Sequence, residues 1–169
     1  STDTCTNNFA TWNPLRKHLG HTATFSEGNT IVEQGQAGQT QSVFSTIAVS
    51  TGKWYAEFQC SSNAANFAFG IARINADNSG GLDVFPSSLG GVAYFKNGNI
   101  SSYQSGDANS DTGTTFVYTD IIGILFDLDN TRIYFYKNDT LVNSGGFNYS
   151  VSTDTAGSSL ETTYYFAAG

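Results

Sequence analysis

Asp127 and Asp129, set two residues apart, are the one pair of carboxylates in this chain whose spacing suits acid–base work. Side chains at i and i+2 of a strand point the same way, and a glycoside-cleaving site needs two carboxyl groups about 5–10 Å apart across a sugar. The pair lies in an Asp- and Asn-rich turn, where aspartate is favoured for hydrogen bonds to nearby backbone, so the structural reading is preferred. Glu57 stands alone on the polar face of its segment. A serine triad needs a histidine base held by a partner. His18 and His21 share one N-terminal segment, and no Gly-x-Ser-x-Gly elbow occurs. Those two histidines, three apart with no third ligand nearby, read as solvated residues rather than as a metal site. The expectation is a protein that is not an enzyme, with no catalytic residue.

The run Asp107-Ala-Asn109-Ser-Asp111-Thr-Gly113 alternates oxygen donors as a calcium loop does. Its glycine falls one place late and its twelfth position is Tyr118 in place of a glutamate. A solvated loop is the preferred reading, with calcium on Asp107, Asn109 and Asp111 as the minor alternative and no other cofactor. What remains is recognition by long polar loops, 75–89 and 105–114, in which aromatics sit among Asn, Asp, Ser and Gly. That mixture suits stacking on sugar rings or adaptable protein contacts. Phe85, Tyr103, Asp107 and Asn109 are the expected ligand-binding residues; the competing reading is that Phe85 and Tyr103 only pin their loops to the core.

These loops need strands to hold them. Asp120 to Asp127 places Ile122, Ile124 and Phe126 on one strand face and Ile121, Gly123 and Leu125 on the other, so both faces are apolar and the strand is expected inside the protein. After the Asp/Asn turn, Thr131 to Lys137 returns as its hairpin partner. Lys53 to Cys60 alternates Trp54, Ala56, Phe58 and Cys60 with Lys53, Tyr55, Glu57 and Gln59, one core face and one wet face. Cys60 is then read as a free core cysteine rather than as the disulfide partner of Cys5. Further strands are expected at 22–27 and 30–33 around Gly28-Asn29, at 43–49, at 67–72 with a bulge or close backbone approach at Gly70, and at 162–167. Asn97-Gly98 predicts a hairpin with a type I′ turn. Phe9 and Trp12 anchor an extended N-terminal stretch, and Pro14 to Gly20 is expected to form one helical turn capped by Asn13. The fold class is an all-β antiparallel sandwich of two packed sheets with little or no helix.

At 169 residues, 39% of them hydrophobic and 14% aromatic, the chain can bury one sizeable core. The domain division is a lead-in at 1–20 packed on a single sandwich at 21–169, taken as a fragment of a longer chain. A net charge of −7 with only seven scattered Lys and Arg argues against nucleic acid and anionic membranes. No apolar run approaches the ~20 residues that span a bilayer. Three glycosylation sequons, at Asn99, Asn138 and Asn148, are about what chance gives in so Asn/Ser/Thr-rich a chain.

Five segments in order resemble the strand motifs of the SPRY (B30.2-like) domain: Gly52-Lys-Trp-Tyr-Ala-Glu-Phe58, Phe69-Gly-Ile-Ala72, Gly91-Val-Ala-Tyr94, Asp120-Ile-Ile-Gly…Asp127-Leu-Asp129 with Ile133-Tyr-Phe-Tyr-Lys-Asn138, and Tyr164-Tyr-Phe-Ala167. The family usually has Gly where this chain has Asp139, so a different or looser turn is expected there. The opening Asn8-Phe-Ala-Thr-Trp-Asn-Pro-Leu15 is similar to the lead-in of SPRY modules in bacteriophage tail fibres and other virion surface proteins. The resemblance implies a concanavalin-like sandwich that binds through end loops and lacks catalytic activity. It implies recognition of a host cell-surface glycan or protein, contact with other virion subunits, and a place on the virion surface after synthesis in the host cytoplasm. Its alternatives are a purely structural virion packing domain and a cellular SPRY adaptor that grips a peptide.

Overall fold

The computed structural model describes residues 10–17, 23–33, 42–61, 67–73, 91–102, 110–142, 147–148 and 163–169. Among these every regular element is a strand: β1 (Trp12–Lys17), β2 (Thr24–Ser26), β3 (Ile31–Glu33), β4 (Val43–Val49), β5 (Lys53–Gln59), β6 (Ala68–Arg73), β7 (Val92–Phe95), β8 (Asn99–Ser102), β9 (Ser110–Asp111), β10 (Ile121–Asp127), β11 (Arg132–Lys137), β12 (Thr140–Leu141), β13 (Phe147–Asn148) and β14 (Tyr164–Ala168). One antiparallel sheet runs β1-β4-β14-β6-β7-β8-β9 and a second runs β12-β11-β10-β5, with β13 also paired to β11; β2 and β3 form a separate hairpin. The all-β sandwich expected from strand alternation is what the chain forms.

Alternation places the core between the sheets. Ile122, Ile124, Phe126, Ile133 and Phe135 of one sheet pack with Phe69, Ile71, Val92, Tyr94, Tyr164 and Phe166 of the other in a single apolar cluster. Phe116 sits in the same cluster, its ring 4.8 Å from that of Tyr94 and 5.2 Å from that of Phe67. The outer face of β10 departs from expectation. Ile121 is 43% exposed and Leu125 half-buried, and among the described residues no second layer covers that face. Tyr55 fills it instead: a Cβ on Gly123 would collide with the Tyr55 hydroxyl, and the Tyr55 ring meets Tyr136 edge-on at 6.3 Å.

Four local expectations need correction. Pro14 to Lys17 is strand, not helix. A proline is tolerated on an edge strand, where its missing N–H would face solvent, and β1 is an edge whose register breaks between Trp12 and Lys17. Asn13 caps nothing; its Oδ1 accepts the Leu15 N–H at 3.0 Å in a local turn. The type I′ turn expected at Asn97-Gly98 is absent, since only Gly98 of the two has positive φ (95°). The Gly98 N–H donates to Phe95 O, giving a three-residue loop closed by a glycine. The two-residue hairpin with both central residues left-handed lies instead at Asn138 and Asp139 (φ 47° and 62°), between the paired Lys137 and Thr140. Asp139 therefore keeps the turn tight rather than loosening it, because Asn and Asp tolerate that conformation. Gly70 makes no bulge; it pairs in regular register with Ala93 and Ala167.

The polar ends of the central hairpin hold it in place. Asn138 Oδ1 accepts the Ile121 N–H at 2.9 Å while its Nδ2 donates to Asp120 Oδ1 at 2.7 Å, which occupies the amide of one sequon. Buried Asp120 also accepts the Val117 N–H at 2.8 Å and pairs with Lys137 at 3.1 Å. At the other end Asp127 accepts from Asn130 N–H and Nδ2 and pairs with Lys53 at 3.0 Å, and Asp129 accepts the Gly52 N–H at 3.0 Å. The Asn130 side chain first, and then Lys53, hold the Asp127 carboxyl below its usual range against the opposing effect of burial. For Asp120 burial pushes upward, and the bonds from Val117, Asn138 and Lys137 together outweigh it.

Asn138→Ala loses both the left-handed tolerance and two side-chain hydrogen bonds and is expected to cost about 2–3 kcal/mol; Asn138→Gly, which keeps the conformation, should cost about 1 kcal/mol less. Urea unfolding of the two variants checks the order. Because both aspartates are depressed in the folded state, the unfolded chain takes up their protons first. Their stabilisation is present above the unfolded value near ~4 and is lost as pH falls through the lower folded values. The Tm should hold level from neutral pH down to about 5 and fall steeply below about 4, with a shallower fall for Asp127→Asn in scanning calorimetry.

Candidate functional site

A cleft of about 240 Å³ opens where β1, at the edge of the larger sheet, passes the edge strand β5 of the smaller one. Its floor is aromatic. The Phe58 ring stacks on Phe69 at 5.2 Å, lies 6.1 Å from Phe166 and 5.6 Å from Trp12. Thr11 and Thr30 stand at its mouth, Ser45 lies beneath, and the edge of β5 at Glu57 and Gln59 borders it.

Each wall is fixed by the backbone. Trp12 N–H donates to Asn29 O at 2.7 Å, and Thr46 N–H donates to Thr11 O at 2.7 Å, so β1 is tied both to the β2–β3 turn and to β4. Glu27, Gly28 and Asn29 turn that chain through three successive positive φ values, 50°, 66° and 65°. At the floor, β14 shifts register against β4 between Tyr165 and Ala167. Buried Ser45 Oγ fills the irregularity, accepting the Phe166 N–H at 3.1 Å and donating to Ile47 O at 2.7 Å, and Phe166 is thereby set in the cleft. Opposite, Ala56 and Phe58 face inward from β5, half-buried.

The face of β5 away from the cleft is polar. Tyr55 Oη donates to Glu57 Oε1 at 3.0 Å, and burial, reinforced by that carboxylate, pushes the Tyr55 phenol up to about 12, so it stays a neutral donor. Gln59 Nε2 donates to Thr119 O at 3.2 Å. Among the described residues Glu57 has no cationic partner; the ammonium of Lys53 is held by Asp127.

This site is not the one read from the sequence. Phe85, Tyr103, Asp107 and Asn109 lie outside the described residues, as do Cys5, Phe9, His18 and His21, and of Asp111 only its backbone in β9 is described. No group of three or more His, Cys, Asp or Glu among the described residues could hold a metal ion, and no helix among them is long and apolar enough to cross a membrane. Asp127 and Asp129 form no open carboxylate pair: each is spent on the backbone of the turns that join β4 to β5 and β10 to β11. Trp54, expected in the core with Ala56 and Phe58, is 43% exposed, its indole donating to Thr51 O at 2.7 Å. Cys60 is half-buried against the core. Phe58, which the sequence reading placed on a core face, forms the cleft floor with Phe69 and Phe166 from the strands expected at 67–72 and 162–167. Nothing in their alternation separates a fully covered core position from one at an open sheet edge.

No sequence-family profile matches the chain, and no curated protein matches it by sequence. Solved structures do match. The SPRY domain of human HERC1 superposes with a TM-score of 0.66 at 15% identity, covering 93% of this chain and 87% of that one. The TRIM65 PSpry domain gives 0.62 at 12% identity, with 94% and 83% covered. At such identities the likeness speaks for the fold: two antiparallel sheets closed on one apolar core, with strands in the order that the five sequence segments suggested. The fold of this chain is that of the SPRY domain.

Proposed function

We propose that this domain is a non-catalytic protein-binding module that takes a partner segment at the cleft between β1 and β5. The observation that carries the reading is the cleft itself, an aromatic floor of Trp12, Phe58, Phe69 and Phe166 between two sheet edges, bordered by Thr11, Thr30 and the main-chain edge of β5. Aromatic surface that remains accessible beside polar rim groups is the composition of a protein-recognition hot spot. The two carboxylates with catalytic spacing are occupied in holding turns, which supports a binding role over hydrolysis. The solved structures of like fold, SPRY domains of HERC1 and TRIM65, fit a cellular peptide-gripping adaptor at least as well as a virion appendage. The virion-surface setting, with a host glycan or protein as ligand, rests on the resemblance of the Asn8 to Leu15 lead-in.

The test is to pan a random octapeptide display library against the immobilised domain and, in parallel, to probe a broad glycan array. Ala56→Leu fills the cleft with an apolar side chain that the strand accepts. The expected result is enriched peptides whose affinity drops about tenfold or more in Ala56→Leu, with the glycan array blank. Saturable glycan binding without peptide enrichment would overturn the reading in favour of host attachment.

A further inference from the structure

The four ends of the two main sheets differ in how they are closed. β9 and β12 are two residues long, and β1 carries Pro14 and a break in register. Short, irregular or proline-bearing edges resist further pairing. β5 has none of these devices: seven consecutive residues, Lys53 to Gln59, pair with Asp127 to Ile121 without a shift.

The parity of that pairing is fixed. Leu128 N–H donates to Gly52 O at 3.0 Å, and Gly52 and Leu128 are opposite in the register that pairs Lys53 with Asp127. In an antiparallel ladder alternate residues exchange both bonds, so Trp54, Ala56 and Phe58 direct their N–H and C=O groups at β10. Lys53, Tyr55, Glu57 and Gln59 direct theirs away from the sheet, and no described residue meets them there. The open main-chain edge and the cleft adjoin, since Ala56, Glu57, Phe58 and Gln59 line the cleft.

We propose that the partner is an extended peptide that adds to β5 as a further strand, bonding Tyr55, Glu57 and Gln59 through its main chain and seating an apolar side chain in the cleft. This rests on the cleft being the binding site. Directly opposite residues share a sheet face, so the peptide residue across from Glu57 lies on the outer face beside a carboxylate that meets no cation among the described residues. Its neighbours, across from Ala56 and Phe58, share the inner face, on which Ala56 and Phe58 line the cleft with Phe69 and Phe166. The complement is therefore a segment reading apolar, Lys or Arg, apolar, and the net charge of −7 favours a cationic strand. A second copy of this chain fits less well. Self-pairing about Tyr55 would set Lys53, already held by Asp127, against Glu57 and would bring Gly52 opposite Phe58, leaving the cleft unfilled.

The probe is the tightest octapeptide recovered by panning, together with versions N-methylated at one residue at a time. N-methylation of alternate residues, those whose N–H faces β5, should each weaken binding about tenfold or more, while methylation of the intervening residues leaves it within about twofold. Glu57→Gln should weaken the cationic peptides, and Glu57→Pro, which removes an outward N–H and leaves the bonds to β10 in place, should abolish binding. The peptide series stands even where the proline variant does not fold. Binding that is lost in Ala56→Leu but indifferent to the parity of N-methylation would overturn strand addition and leave the cleft reading intact; no peptide binding at all would overturn both. Concentration-dependent dimerisation in sedimentation, abolished by Glu57→Pro, would assign the edge to a second copy and also overturn the proposal.

Discussion

Burial of one face of each sheet against the other is the constraint from which the rest of this structure follows. Ile122, Ile124 and Phe126 are fully enclosed, and alternation then obliges their cross-strand partners Phe58, Ala56 and Trp54 to share that face. A one-residue slip would turn every one of these side chains to solvent. The register of β5 on β10 is thus set by the core, and with it the parity of β5's main-chain bonds. Among the described residues strand β5 has one bonded side and one open side, because the smaller sheet ends there.

The polar groups complete what burial begins. Asp127 with Lys53, and Asp129 with the Gly52 N–H, lock the turn after β10 to the turn before β5 at one end. Asp120, Lys137 and Asn138 lock the other. The central strand β10 is thereby held at both ends, and β5 is tied to it at Gly52 and Lys53. These aspartates are the groups whose spacing first suggested catalysis, and their chemistry is spent on architecture.

Much of the fold was legible because period-two alternation is a direct consequence of burying one sheet face. Strand β11 is the clearest example: expected at Thr131 to Lys137 and found at Arg132–Lys137, it buries Ile133 and Phe135 while Arg132, Tyr134 and Tyr136 between them are only half-buried. Turn chemistry was less legible. Asn97-Gly98 and Asn138-Asp139 both carry residues that tolerate left-handed backbone, and which one becomes the two-residue turn depends on loop length set by tertiary pairing, not on the dipeptide. Pro14 was misread as a helix start because an edge position, which excuses its missing donor, is a property of the assembled sheet. The candidate site was hidden for the same reason. Phe58 has the sequence signature of any core phenylalanine, and only the order of strands shows that the sheet ends beside it. The loop residues Phe85, Tyr103, Asp107 and Asn109 drew attention through composition, whereas the cleft arises from topology.

The central claim is that β5 presents an open, regular edge, and amide hydrogen exchange of the free domain tests it most directly. Protection should alternate along the strand: the amides of Trp54, Ala56 and Phe58, bonded to β10, should exchange at least about a hundredfold more slowly than those of Tyr55, Glu57 and Gln59. Uniform protection across all six amides in the monomer would mean that the edge is already covered, and would contradict the account.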